Sequence, residues 1–194
     1  WHRLRAKAFE ATGQTFDVAI ELAALTVGQP PRERAGALRN IERLLAPRWL
    51  SEFPSNVWLG ITAEDQERYD KRWPILRSLS VSPTVRFVSH EPALGPLDLL
   101  ALPHDSRDEW DLLELPDWII TGGESGPGAR PYDLGWARDL VAQTKGSPIA
   151  MFVKQLGADP IDGLAGYSVI LRDRKGGDPS EWPEELRVQQ FPRV

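Results

Sequence analysis

Four short apolar runs open near residues 57, 85, 118 and 149, an interval of roughly thirty residues each time. They are Asn56 to Thr62, Val85 to Val88, Trp118 to Thr121 and Ile149 to Val153. Stretches of helical length lie in most of the gaps. Strand, helix and returning strand at that interval make a βαβ unit, and such crossovers build a parallel sheet. The run from Val57 to Ile61 is apolar on both faces, as in a sheet covered on both sides. The pattern predicts an α/β fold, either a partial (β/α) TIM-like barrel or an open parallel sheet of four to five strands with flanking helices. A closed eight-stranded barrel takes about 250 residues, more than are present.

The helices between these runs carry their own signals. Pro31 suits a first helical position, and Ala35, Leu38, Ile41 and Leu45 form one apolar stripe up to Pro47. Arg32, Arg34, Arg39 and Arg43 fall largely off that stripe, as a solvated or a phosphate-binding face. Thr62 to Asp65 has the form of a capping box, ahead of a helix with Tyr69 and Trp73 one turn apart and Pro74 kinking or restarting it. Asp133 is placed to cap a helix that presents Trp136, Ala137, Leu140 and Val141. Residues 15–27 suit a strand or a helix. Residues 158–194 lose the βα rhythm: Asp173 to Pro179 is a turn-rich loop, and Glu181 to Phe191 a small closing element. With no linker and no low-complexity segment, residues 1–194 read as one domain.

Composition narrows the function classes. The chain has no cysteine, so it cannot form a disulfide or ligate an iron–sulfur cluster or zinc through thiolates. A net charge of -5 argues against a non-specific nucleic-acid binder, which needs a basic face, although a local basic patch is compatible with it. No apolar run reaches the roughly 18–20 residues of a membrane span, and no signal peptide is visible, so a cytoplasmic location is expected. The first residue is Trp1 rather than methionine, which suggests a fragment or processed piece.

In parallel α/β folds the strand C-termini emerge on one side, and sites form there. Those ends carry Thr62 and Glu64; Ser89, His90 and Glu91; Thr121, Glu124 and Ser125; and Lys154 with Gln155. The opposite ends, such as Pro83-Thr84 and Ser147-Pro148, are turn and start signals. Glu91, Glu124 and Lys154 are the candidate catalytic groups. The carboxylates suit an acid–base pair or a cationic ligand group. Lys154 suits a carboxylate or phosphate, a base role if desolvated, or a purely structural ion pair with a glutamate. Gly122, Gly123, Ser125, Arg130 and Gln155 are the candidate ligand-binding groups: a glycine turn offers backbone N–H groups to an anion, and Arg130 closes over it. His90 and Glu91 are adjacent, so an extended strand sends them to opposite faces, and Glu91 is assigned to the site. No second histidine lies near His90 in sequence, so no metal site is read.

Five ordered motifs resemble the phage protein family named for gene products thirty-seven and sixty-eight. They are Asn56-Val57-Trp58-Leu59-Gly60; Val85-Arg86-Phe87-Val88-Ser89-x-Glu91-Pro92-x-Leu94-Gly95-Pro96; Asp117-Trp118-Ile119-Ile120-x-Gly122-Gly123-Glu124-Ser125-Gly126-Pro127-Gly128-Ala129-Arg130-Pro131; Phe152-x-Lys154-Gln155; and Asp173 to Pro183. The match covers about residues 50–192. The family has no established activity. Its fuller members look like radical S-adenosylmethionine proteins, with a cysteine cluster motif near the N-terminus and a (β/α) barrel. The resemblance implies that this chain is the C-terminal part of such a barrel. S-adenosylmethionine and a 4Fe-4S cluster would then require a preceding region. His90 and Leu156 depart from the residues usual at those positions. The Gly122-Gly123-Glu124 turn follows a late strand and is not the cofactor-amine turn of radical enzymes, which follows an early one.

Three functional expectations result. The first is the substrate-side portion of a radical S-adenosylmethionine-like enzyme acting on a small molecule. The second is a non-catalytic phage accessory protein that binds a host protein or nucleic acid through the same face. The third is a barrel that binds a phosphorylated small molecule at the Gly122–Gly128 turn. No motif sets an oligomeric state.

Overall fold

The computed structural model describes residues 58–77, 83–100 and 115–193. The helix expected from Pro31, its arginine face and the ambiguous run at 15–27 lie outside these residues.

Strands β1 (Leu59–Thr62), β2 (Arg86–His90), β3 (Trp118–Gly122) and β5 (Ala150–Gln155) form one sheet in the order β1-β2-β3-β5, every neighbouring pair parallel. This is the α/β parallel sheet that the spacing of the apolar runs predicts. Helix α1 (Gln66–Arg77) follows β1, and helix α2 (Leu134–Thr144) precedes β5. Tyr69, Trp73, Leu76, Leu134, Ala137 and Leu140 from the helices pack with Leu59, Ile61, Val88, Ile119, Met151 and Val153 from the strands. Alternation sends Phe87, Trp118, Ile120 and Phe152 to the other face, where they form a second apolar cluster with Trp58 and Phe191. Trp118 is its centre, with Trp58, Phe152 and Phe191 rings at centroid distances of 5.8, 5.9 and 5.3 Å.

Local chemistry explains where the helices start. Asp133 Oδ1 accepts from Gly135 N at 2.8 Å, capping α2 as its position predicts. At α1 the expected Thr62 cap is replaced by Asp65, whose Oδ1 accepts from Arg68 N at 3.0 Å. Thr62 remains inside β1, so the acidic residue three positions later does the capping. Pro74 is accommodated within α1.

Two features carry no periodic signal in the sequence. A small sheet joins β4 (Tyr132–Asp133), β6 (Pro160–Asp162) and β7 (Tyr167–Ser168), each too short to show alternation. The C-terminal segment pairs antiparallel along β5: Val153 N donates to Val188 O, Gln190 N donates to Met151 O, and Phe152 bridges Gln189. It thereby covers a sheet edge whose N–H and C=O groups would otherwise be unpaired. This is the closing element expected near residue 188, and two 3-10 turns (Pro179–Glu181 and Glu184–Leu186) lead into it. No helix among the described residues is long and apolar enough to cross a membrane.

Candidate functional site

The parallel arrangement brings the ends of β1, β2, β3 and β5 to one rim. Hydrogen bonds between the loops lock it: Ala63 N donates to Ser89 O at 2.9 Å, Leu94 N to Glu64 O at 2.7 Å, and Ala93 N to Gly122 O at 3.0 Å. On the face of Phe87 and Phe152, Lys154 Nζ donates to Glu91 Oε2 at 3.0 Å, although 63 residues separate them. Ser89, two residues before Glu91, places its Oγ 3.4 Å from the same oxygen.

A break in register positions the lysine. Thr121 pairs with Val153 and Gly122 with Gln155, so Lys154 is the unmatched residue on β5. Such bulges locally bend a strand and re-aim a side chain. Gly122 completes the arrangement, because a Cβ there would stand 2.9 Å from Glu91 Oε1 and 3.1 Å from Gln155 O. The glycine leaves room for both the carboxylate and the β5 backbone. Gln155 Nε2 donates to Gly123 O at 2.8 Å, so this side chain braces the turn itself.

The pair is asymmetric in exposure: the Glu91 side chain is 12% exposed and that of Lys154 32%. Burial raises the Glu91 pKa above the ordinary carboxylate value, against the lowering pull of Lys154 and Ser89. A carboxyl with a raised pKa, held by a lysine at a strand end, suits proton transfer or the binding of a small polar group.

Glu124 behaves differently. Its oxygens accept from Arg130 Nε at 2.8 Å, Arg130 Nη2 at 3.0 Å and Arg130 N at 3.1 Å. These bonds, from the guanidinium first, hold its pKa down to about 2. The arginine expected to close over an anion is thus engaged by the carboxylate at the other end of its own loop. Ser125 is exposed beside it. Glu91, Lys154, Gly122, Gly123 and Gln155 are therefore brought together, while Glu124 and Arg130 form a separate pair on the outer turn.

His90 faces the helices, as alternation requires, and is fully buried. Its Nε2 lies 3.1 Å from Gly95 O, which can only accept, so the neutral ring carries its proton on Nε2. Nδ1 then accepts from the Thr121 hydroxyl at 3.0 Å, and Thr121 Oγ1 accepts from Tyr132 OH at 3.2 Å. Burial pushes the His90 pKa down to about 4. The chain of hydroxyls fixes the backbone next to Glu91 from behind. Its signal in the sequence is the polar pair His90 and Thr121 inside apolar runs, but nothing there reveals Tyr132 as the third member. Among the described residues no group of three or more His, Asp or Glu side chains is arranged to hold a metal ion.

A family model described as a protein of unknown function (DUF5131) matches residues 19–176. No curated protein and no solved structure matches the chain. The family match runs over more than half of the sequence and includes β1 to β5, the Glu91–Lys154 pair and the glycine turn. The chain is a member of the DUF5131 family of proteins of unknown function.

Proposed function

We propose that this chain is the substrate-side portion of a radical S-adenosylmethionine-like barrel enzyme, of the phage family named for gene products thirty-seven and sixty-eight, with a small-molecule site at the strand C-termini. The observation that carries the site is the Glu91–Lys154 pair: a carboxylate just past the end of β2 and an ammonium from β5, 3.0 Å apart, on the inner side of the rim. A partly desolvated ion pair is complementary to a ligand that carries both an anionic and a cationic group, because the ligand can replace each partner with its own charge. Lys154 takes the anionic group, and Glu91 takes the cationic group or holds a proton at Oε2. Gly122 lets the Glu91 carboxylate sit against the β5 backbone at that corner.

The iron–sulfur cluster of such enzymes does not fit these residues. The 194 residues include no cysteine, and a cluster of this kind is held by thiolates. Its ligands would have to lie outside them, and the charge complementarity of Glu91 and Lys154 to a ligand does not depend on it.

The test is titration of the isotopically labelled protein with a panel of free amino acids and S-adenosylmethionine, followed by amide NMR shifts. At least one member of the panel is expected to shift Gly122, Gly123, Lys154 and Gln155, with affinity reduced about tenfold or more in Lys154→Met. Absence of shifts at that rim across the panel, or affinity in Lys154→Met and Glu91→Gln equal to that of the parent, would overturn the reading.

A further inference from the structure

A concavity of about 490 Å³ opens between the glycine turn and the Asp173–Gly177 loop. That volume falls within the range of small-molecule sites. Its lining divides by chemistry. Pro160, Val169 and Leu171 make an apolar floor, Ser125 and Gly126 form one lip, and Arg174 and Lys175 form the other.

The two cations are what a ligand would meet first. Both are exposed, and neither side chain makes a hydrogen bond or ion pair among the described residues. On the facing lip, the Ser125 hydroxyl and the Ser125 and Gly126 amides are likewise unused there, and Gly126 has a positive φ of 107°. Asp173, the acidic member of the lining, is turned into its own loop: Oδ1 accepts from Lys175 N at 3.0 Å and Oδ2 from Gly177 N at 2.8 Å. Those bonds shape the loop and hold the Asp173 pKa below the ordinary carboxylate value, and the Lys175 ammonium is a compensating charge beside it.

Both lips are pinned to the end of β5. Leu156 N donates to Gly176 O at 2.8 Å, and that oxygen also accepts the Trp182 indole N–H at 3.0 Å. Ala158 N donates to Glu124 O at 2.8 Å on the other side. Gly157 sits between them at φ 82°, where a Cβ would stand 2.7 Å from Glu124 O. The spacing of the lips is therefore set by backbone before any ligand arrives, which lowers the ordering cost of binding.

We propose that this groove binds a phosphorylated small molecule of nucleotide size, its phosphate between Arg174, Lys175 and the Ser125–Gly126 turn, and its apolar body on Val169 and Leu171. A guanidinium fork, an ammonium and free backbone N–H groups are the donors that phosphate oxygens require. The groove is a different cluster from the Glu91–Lys154 pair, and Arg130 has no part in it.

The experiment is calorimetric titration of the protein with ATP, with inorganic phosphate as the comparison. ATP is expected to bind, and inorganic phosphate to bind about tenfold more weakly because it leaves the apolar floor uncovered. The double variant Arg174→Ala/Lys175→Ala is expected to lose about tenfold or more in ATP affinity, and Leu171→Ser severalfold. Lys145→Ala, which removes an exposed cation at the end of α2, is expected to leave the affinity unchanged and so controls for net charge. Circular dichroism establishes that each variant is folded. No ATP binding at about 1 mM, or binding equal in the double variant and the parent, would overturn the proposal.

Discussion

His90 and Glu91 are neighbours in sequence and opposites in situation. One faces the helices, the other the inner side of the rim. Both are nearly removed from water, yet the protein treats them differently. His90 is given two hydrogen-bond partners that suit the neutral ring, and burial holds its pKa near 4. Glu91 is given a lysine that suits its charged form, while burial raises its pKa against that partner. The pleat alone separates a structural group from a candidate reactive one. On the helix-facing side both ring nitrogens of His90 are paired with neutral partners, whereas at the rim Glu91 is paired with a charged lysine.

The largest expected effect tests the helix-facing side. The folded chain holds His90 neutral down to about pH 4, whereas the unfolded chain takes up its proton near 6.5. As pH falls through that window the unfolded state binds a proton that the folded state refuses, so stability is lost. The expected loss is about 3 kcal/mol between pH 6.5 and 4, read as the difference in urea unfolding between the parent and His90→Gln, which has no titrating ring. Identical pH slopes for the two proteins would remove the claim that the ring is held neutral.

A smaller effect tests the rim side. Lys154→Met leaves the Glu91 carboxylate without its cation, at a cost of about 2 kcal/mol at neutral pH, below the fully buried case because the lysine is one-third exposed. The cost should shrink on acidification, because a protonated Glu91 no longer needs the cation. A destabilisation independent of pH would mean that Lys154 acts by packing alone.

The smallest effect falls on the outer turn. Arg130→Ala is expected to lower the unfolding midpoint only slightly, because the pair, 53% and 33% exposed, is screened by solvent. It should nevertheless release the Glu124 pKa from about 2 toward the ordinary carboxylate range, which carboxyl-carbon NMR reads directly. A large loss of stability would show that this exposed pair does more than the comparison with Glu91 and Lys154 allows.

Much of this is legible in the residues. Apolar runs at regular intervals identify the strands, because a strand buried on both faces is apolar over most of its length. Asp133 identifies itself as a cap because a short carboxylate before an apolar stripe satisfies orphan N–H groups. The preference for Glu91 over His90 at the rim needs only the two-residue period of an extended chain. The cap of α1 is not legible in the same way. Thr62 and Asp65 offer equivalent local chemistry, and only the length of β1 decides for Asp65.

The parallel strands and the identity of the polar groups at their ends are thus written locally, in periodicity and in turn chemistry. Which of those groups meet is not. The register break that frees Lys154, the capture of Arg130 by Glu124, the third hydroxyl from Tyr132 and the loop that carries Arg174 and Lys175 to the glycine turn are contacts that only the folded chain makes. Their geometry comes from how the strands pack side by side, an interaction that no local stretch of sequence contains.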